Sequence, residues 1–182
     1  VLALQTIVSR ETPPGDHAVV TIGSIHGGTK HNIIPDEVKL QLTLRSYSDA
    51  VRTNTIASIK RITRGLALAA GVPEDRMPIV SVKENEFTPA TYNDPTLTRR
   101  VTTLFRNWLG ADNVRLQKPV MGGEDFGLFG RTSDKIPITM FWLGAVDPAL
   151  VKQFEQTGQA LPSLHSSQFA PLPEPALRTG VV

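Results

Sequence analysis

The sequence predicts an α/β protein of two domains, on three observations. Residues 38–45 alternate strictly between apolar and polar side chains, the period of a half-buried strand. Residues 49–70 carry apolar side chains at helical spacing. After the Pro-, Thr- and Asn-containing stretch 88–94 the pattern changes to a capped helix and one nearly continuous apolar run, as in a sheet buried on both faces. At 182 residues with 40% hydrophobic side chains the chain has enough apolar surface for one domain or two small ones.

In order, Val1, Leu4, Ile7 and Val8 predict a helix that ends near Glu11, with no capping residue before it. Thr12-Pro13-Pro14-Gly15-Asp16 reads as a loop. A strand follows from about His17 to His26, with Val20, Ile22 and Ser24 facing one way and Val19, Thr21 and Ile25 the other, and Gly27-Gly28 ends it. In the next strand Val38, Leu40, Leu42 and Leu44 point inward while Lys39, Gln41, Thr43 and Arg45 point outward. Asp49 is placed to cap the following helix, whose stripe is Ile56, Ile59, Ile62 and Leu66. Arg52, Lys60, Arg61 and Arg64 form a solvated side, and Gly71 and Pro73 stop the helix. A further strand is predicted from Ile79 to about Phe87. Helix, strand, strand, helix, strand is the order of a ferredoxin-like split βαβ layer without its first strand: an antiparallel sheet with two helices on one side.

Beyond residue 94, Asp94 caps and Pro95 opens a helix with Leu97, Val101, Leu104, Phe105 and Trp108 inward, closed by Gly110. Ile136 to Leu143 predicts a buried strand, and Trp108 and Trp142 read as core residues. Pro173-Glu174-Pro175 predicts a helix start near the end. The abrupt first and last helices lead to the expectation that the sequence is a piece of a longer protein.

Composition excludes several classes of function. The net charge of +2 is mild, and Lys and Arg are dispersed, so no nucleic-acid partner is expected. The strands also lack the interleaved aromatics with which a split βαβ sheet stacks RNA bases. Without cysteine there is no disulfide and no thiolate nucleophile. The longest apolar run, Leu66 to Val72, is too short for a membrane span, so no membrane partner is expected.

Four groups of residues are candidates for chemistry. Gly122-Gly123-Glu124-Asp125 within Met121 to Phe126 either lets a ligand approach the backbone, with the carboxylates accepting bonds, or simply turns into a short helix whose first turn favours acidic residues. His165, on a loop after the apolar run, is either structural or a metal ligand, and a single imidazole is not a metal site, because a catalytic zinc takes three protein ligands. Asn32 and Arg45 flank the Ile33-Ile34-Pro35-Asp36 turn, where guanidinium and amide suit a carboxylate, or they are surface residues. His17, His26 and His31 lack helical i, i+4 spacing and read as edge or loop residues.

Taken together, residues 2–11, Gly27 to Asp36, Thr43-Leu44-Arg45-Ser46, Gly122 to Phe126 and Leu164-His165-Ser166 resemble, in the same order, the aminoacylase-type di-metal metallopeptidase family. The match is to its amidohydrolase branch of hippurate and indole-acetyl-amino-acid hydrolases. The resemblance implies a lid, or dimerisation, domain at 1–87 lacking its first strand, and the C-terminal part of an α/β metallopeptidase catalytic domain at 88–182. It implies His165 as a metal ligand, Asn32 and Arg45 as substrate-carboxylate residues, and Gly123 and Glu124 as lining the active site. It further implies two divalent ions, zinc, manganese or similar, an N-acyl amino acid substrate and a homodimer through the lid; a cytoplasmic location is expected, without support from the resemblance. The activity implied is amide hydrolysis by metal-activated water. The general-base Glu and the other ligands are expected upstream of Val1, so the chain by itself is expected to be inactive. The alternative is a noncatalytic dimerisation module that pairs through an exposed strand edge.

Overall fold

The computed structural model describes residues 1–181 and is a mixed α/β fold of two compact units. The first comprises Val1–Thr91 and Pro119–Ile136, the second Tyr92–Lys118 and Pro137–Val182. The break after Thr91 falls in the stretch that the sequence marks as a linker.

In the first unit, α1 (Leu2–Thr6) continues into one turn of π-helix over Ile7–Glu11, closed by Thr12 N–H donating to the Ile7 carbonyl at 2.9 Å. The hairpin of β1 (Ala18–Gly27) and β2 (Val38–Ser46) is antiparallel, with Val20 opposite Leu44 and Ile22 opposite Leu42. α2 (Asp49–Ala69) follows. Its cap is Ser48, one residue earlier than expected, because Ser48 has the extended backbone a cap requires and its hydroxyl accepts from Val51 N–H. Leu4 and Ile7 of the first helix and Ile59 of α2 close over Val20, with Ile22, Leu42, Leu44, Ile62 and Val80 packed around them. Both helices thus cover one face of the hairpin, as the periodicity requires.

Several expectations need correction. Ile25 does not face away from Ile22. A bulge between Ile22 and Ser24 shifts the register, so Ser24 lies opposite Gln41 and Ile25 opposite Leu40. Leu66 is exposed and α2 instead buries Thr55, Ile59 and Ala67, because the buried stripe is narrow where only a two-stranded sheet lies beneath it. Residues 79–87 form no strand. They carry one 3-10 turn at Glu84–Glu86 and pair with neither strand of the sheet found among the described residues. Arg52 packs over the Phe87 ring at 4.2 Å and pairs with Glu84 at 2.8 Å, so this member of the basic side is not merely solvated. Arg61 and Arg64 likewise pair with Glu11 and Glu74.

The second unit contains α3 (Pro95–Leu109), capped by Asp94 and closed by Gly110 at φ +86°, as the sequence indicates. α4 (Pro148–Thr157) starts on Asp147-Pro148, the same signal as Asp94-Pro95, and α5 (Pro173–Gly180) starts at the anticipated prolines. The apolar run at 136–143 is not a strand. Its backbone is held by Asn93, whose amide donates to the Met140 carbonyl and accepts from Met140 N–H, both at 2.8 Å, and by Asp94 N–H on the Ile138 carbonyl. One side-chain amide thus stands where a neighbouring strand would pair. Phe105 meets Phe141 edge-on at 4.9 Å, and Ile138 is buried. Trp108 and Trp142 are 53% and 58% exposed and not core residues, since nothing among the described residues of this unit forms a second layer over them.

Candidate functional site

The hairpin sets the positions of the two proposed carboxylate-binding residues. Arg45 lies on β2 opposite Val19, near the end of the hairpin remote from its connecting loop. Asn32 lies in that loop, in a turn where Ile33 N–H reaches the Lys30 carbonyl, rather than beside a turn at 33–36. Seven residue steps of β2 separate Arg45 from Val38 at the loop, roughly 23 Å at about 3.3 Å per residue. The structure therefore does not bring Asn32 and Arg45 together within one chain.

It does bring Arg45 to the glycine pair. Arg45 Nη1 donates to the Met121 carbonyl, immediately before Gly122-Gly123. The Glu124 carboxylate accepts from Phe126 N–H at 3.1 Å, and Asp125 precedes a 3-10 helix over Phe126–Arg131. The segment runs into a short helix, and Met121 just before the glycine pair meets Arg45. A Cβ on Gly127 would stand 3.1 Å from the Ala90 carbonyl oxygen and 3.1 Å from Thr91 Cα, so a larger residue here would press on that backbone by a few tenths of an ångström. Met121 also walls an open recess of about 450 Å3 with Ser9, Thr12, Asp16 and His17. His17 leans on the Tyr47 ring at 5.3 Å, and His26 and His31 are exposed on strand and turn.

One contact in this region had no sequence signal. Arg131 forms a two-pronged pair with Asp49 at 2.8 and 3.0 Å across 82 residues of chain. The Arg131 guanidinium holds the Asp49 carboxyl below its usual range. Glu11 is held low in the same way, by Arg61 first and then by the Ser58 hydroxyl.

His165 belongs to the second unit. It is exposed, in a turn closed by Ser166 N–H donating to the Ser163 carbonyl at 3.0 Å, and its backbone is left-handed at φ +68°. Among the described residues only Lys135 shares a positive φ without being glycine, and such strain in a residue with a Cβ often accompanies function. The flanking Ser166 hydroxyl accepts from Gln168 N–H rather than serving the imidazole. Among the described residues no three His, Asp or Glu side chains converge to hold a metal ion, so these residues do not by themselves fit a divalent cation.

Residues 4–157 match the peptidase family M20/M25/M40. The chain belongs to this family. It is the metallopeptidase family that the ordered motifs resemble. Similar to this family member is an N-acetyldiaminopimelate deacetylase of Leuconostoc citreum, 35% identical over 81% of this chain and 36% of the relative. Another is the enzyme of that name from Lactococcus lactis, 36% identical over 79% of this chain and 36% of the relative. A crystal structure of a Staphylococcus aureus protein assigned as an aminohydrolase superposes with a TM-score of 0.57 at 33% identity. That match covers 71% of this chain and 32% of the other. The family member described here thus spans about a third of the length of these relatives. Among its described residues no helix is long and apolar enough to cross a membrane.

Proposed function

We propose that this chain serves a metal-dependent amidohydrolase that cleaves the amide of an N-acyl amino acid. Water adds to the amide carbonyl, the C–N bond breaks, and a carboxylic acid and a free amino acid leave. In this reading residues 1–87 form the lid and 88–182 the C-terminal part of the catalytic domain, with His165 giving one ligand to a divalent-metal centre. Gly123 and Glu124 line the site. The names of the relatives favour an acetyl group as the acyl part, where the motif resemblance alone suggests a hippurate-like one.

The observation that carries the proposal is Arg45 beside the glycine pair, in a chain whose residues 4–157 match this family. A guanidinium at that position grips the carboxylate of the amino-acid half and orients the amide. Asn32, a hairpin's length away, reaches the same carboxylate only from a second copy of the chain, which fits action as a homodimer. The test is Arg45→Ala in an active polypeptide containing this chain, assayed on N-acetyl and N-benzoyl amino acids. KM rises by the equivalent of about 2–3 kcal/mol, a charge-assisted contact, while kcat changes little. An equal loss on the carboxamide analogue, which lacks the carboxylate, removes Arg45 from this role.

One observation favours a second reading, the noncatalytic dimerisation module. The sheet of the described residues has two strands, so β1 and β2 each present an outer edge able to pair with another copy. Sedimentation of the 182-residue chain tests the interface that both readings share: each requires a dimer at micromolar concentration, and a monomer throughout that range rejects it.

A further inference from the structure

We infer that residues 119–131 form a strap that competes with substrate for Arg45, an inference that rests on the reading of Arg45 as the carboxylate-binding residue. The strap has two polar ties. Arg45 Nη1 donates to the Met121 carbonyl at one end, and Arg131 clamps Asp49, in the first turn of α2, at the other. Near the second tie Gly127 is seated closely against Pro89, Ala90 and Thr91, where a Cβ would stand 3.1–3.2 Å from their backbone. The seat is imperfect, since the Thr91 hydroxyl is buried there without a hydrogen-bond partner among the described residues. Between the ties, a Cβ on Gly123 would meet no atom within 4 Å. The segment is therefore fixed at both ends and slack at its glycine pair.

This arrangement has a chemical consequence for Arg45. A carboxylate is held best by two parallel N–H donors of the guanidinium fork, and the Met121 carbonyl occupies one of those donors. A neutral carbonyl is the weaker acceptor, so an arriving carboxylate displaces it when the Gly122-Gly123 segment yields. The Arg131–Asp49 clamp sets how readily it yields. Arg131 and Asp49 act through the strap and do not touch substrate, which makes them positioning residues.

The test uses the 182-residue chain with N-benzoylglycine as probe, read by NMR of nitrogen-labelled arginine guanidinium groups and by hydrogen exchange of residues 119–131. Arg131→Gln speeds exchange across the strap and tightens N-benzoylglycine binding about 5-fold, the gain when a blocked conformer of roughly 80% population is released. Asp49→Asn, which keeps the shape of the side chain, gives the same result and serves if Arg131→Gln does not fold. Arg45→Lys loses binding in either background. Faster exchange with unchanged affinity, while the Arg45 signals still respond to the probe, overturns the strap alone. Arg45 signals that ignore the probe in every variant overturn the carboxylate reading and the competition with it.

Discussion

His165→Ala, in a hydrolytically active polypeptide that contains this chain, abolishes amide hydrolysis and lowers metal affinity by at least about 100-fold. Replacing even the outer groups that merely orient a ligand costs about 10- to 100-fold, so loss of a ligand itself lies at or beyond that range. The imidazole is open to solvent and stands on a strained turn. A structural histidine would more naturally be buried and hydrogen-bonded, and the 163–166 turn would relax with glycine in its place. The decisive measurement is metal content after dialysis, alongside turnover. Full occupancy with normal turnover in His165→Ala returns the residue to a structural role. His165→Gly separates the two contributions, since it relieves the left-handed backbone yet supplies no donor: it stays as inactive as the alanine variant if ligation is the role.

Ile7→Ala destabilises the first unit by about 2–5 kcal/mol, the range for removing most of a large buried aliphatic side chain from a packed site. Ile7 is the largest fully buried side chain, at 2% exposure, and it joins Leu4 and Ile59 over the hairpin. It also opens the π turn: its carbonyl accepts both the Thr12 N–H and the Thr12 hydroxyl. The core around it is small, so little neighbouring material is available to collapse into the space. Chemical denaturation of the chain, followed by far-ultraviolet circular dichroism, measures the loss. A change under about 0.5 kcal/mol, the scale of an ordinary surface substitution, means that this core does not hold the hairpin and α2 together.

The elements legible in the sequence were those whose signals are local. Asp94-Pro95 and Gly110 bracket α3, Gly71 ends α2, and the alternation of 38–45 defines β2, because caps, turn glycines and strand period act over a few residues. The runs at 79–87 and 136–143 were not legible. Apolar, β-prone sequence states that a segment suits a ladder, whereas a strand exists only where another backbone supplies the bonds. The same distinction divides the candidate site. Arg45 and the glycine pair are visible as motifs, but their contact depends on a segment 76 residues away. The Arg131–Asp49 clamp has no sequence signature, since isolated Arg and Asp residues occur throughout the chain. The separation of Asn32 from Arg45 emerges only once the hairpin register is known.

The bulge beside Gly23 makes this hairpin sensitive to parity. With the extra residue, Ile25 sits across from Leu40 and Ser24 across from Gln41. Removing Gly23 alone would leave those pairs as they are and straighten the ribbon, whereas removing Gly23 and Ser24 together would bring Ile25 across from Gln41 and turn the distal half of β1 over. A deletion of one residue is accordingly tolerated at this point of β1, and a deletion of two is not.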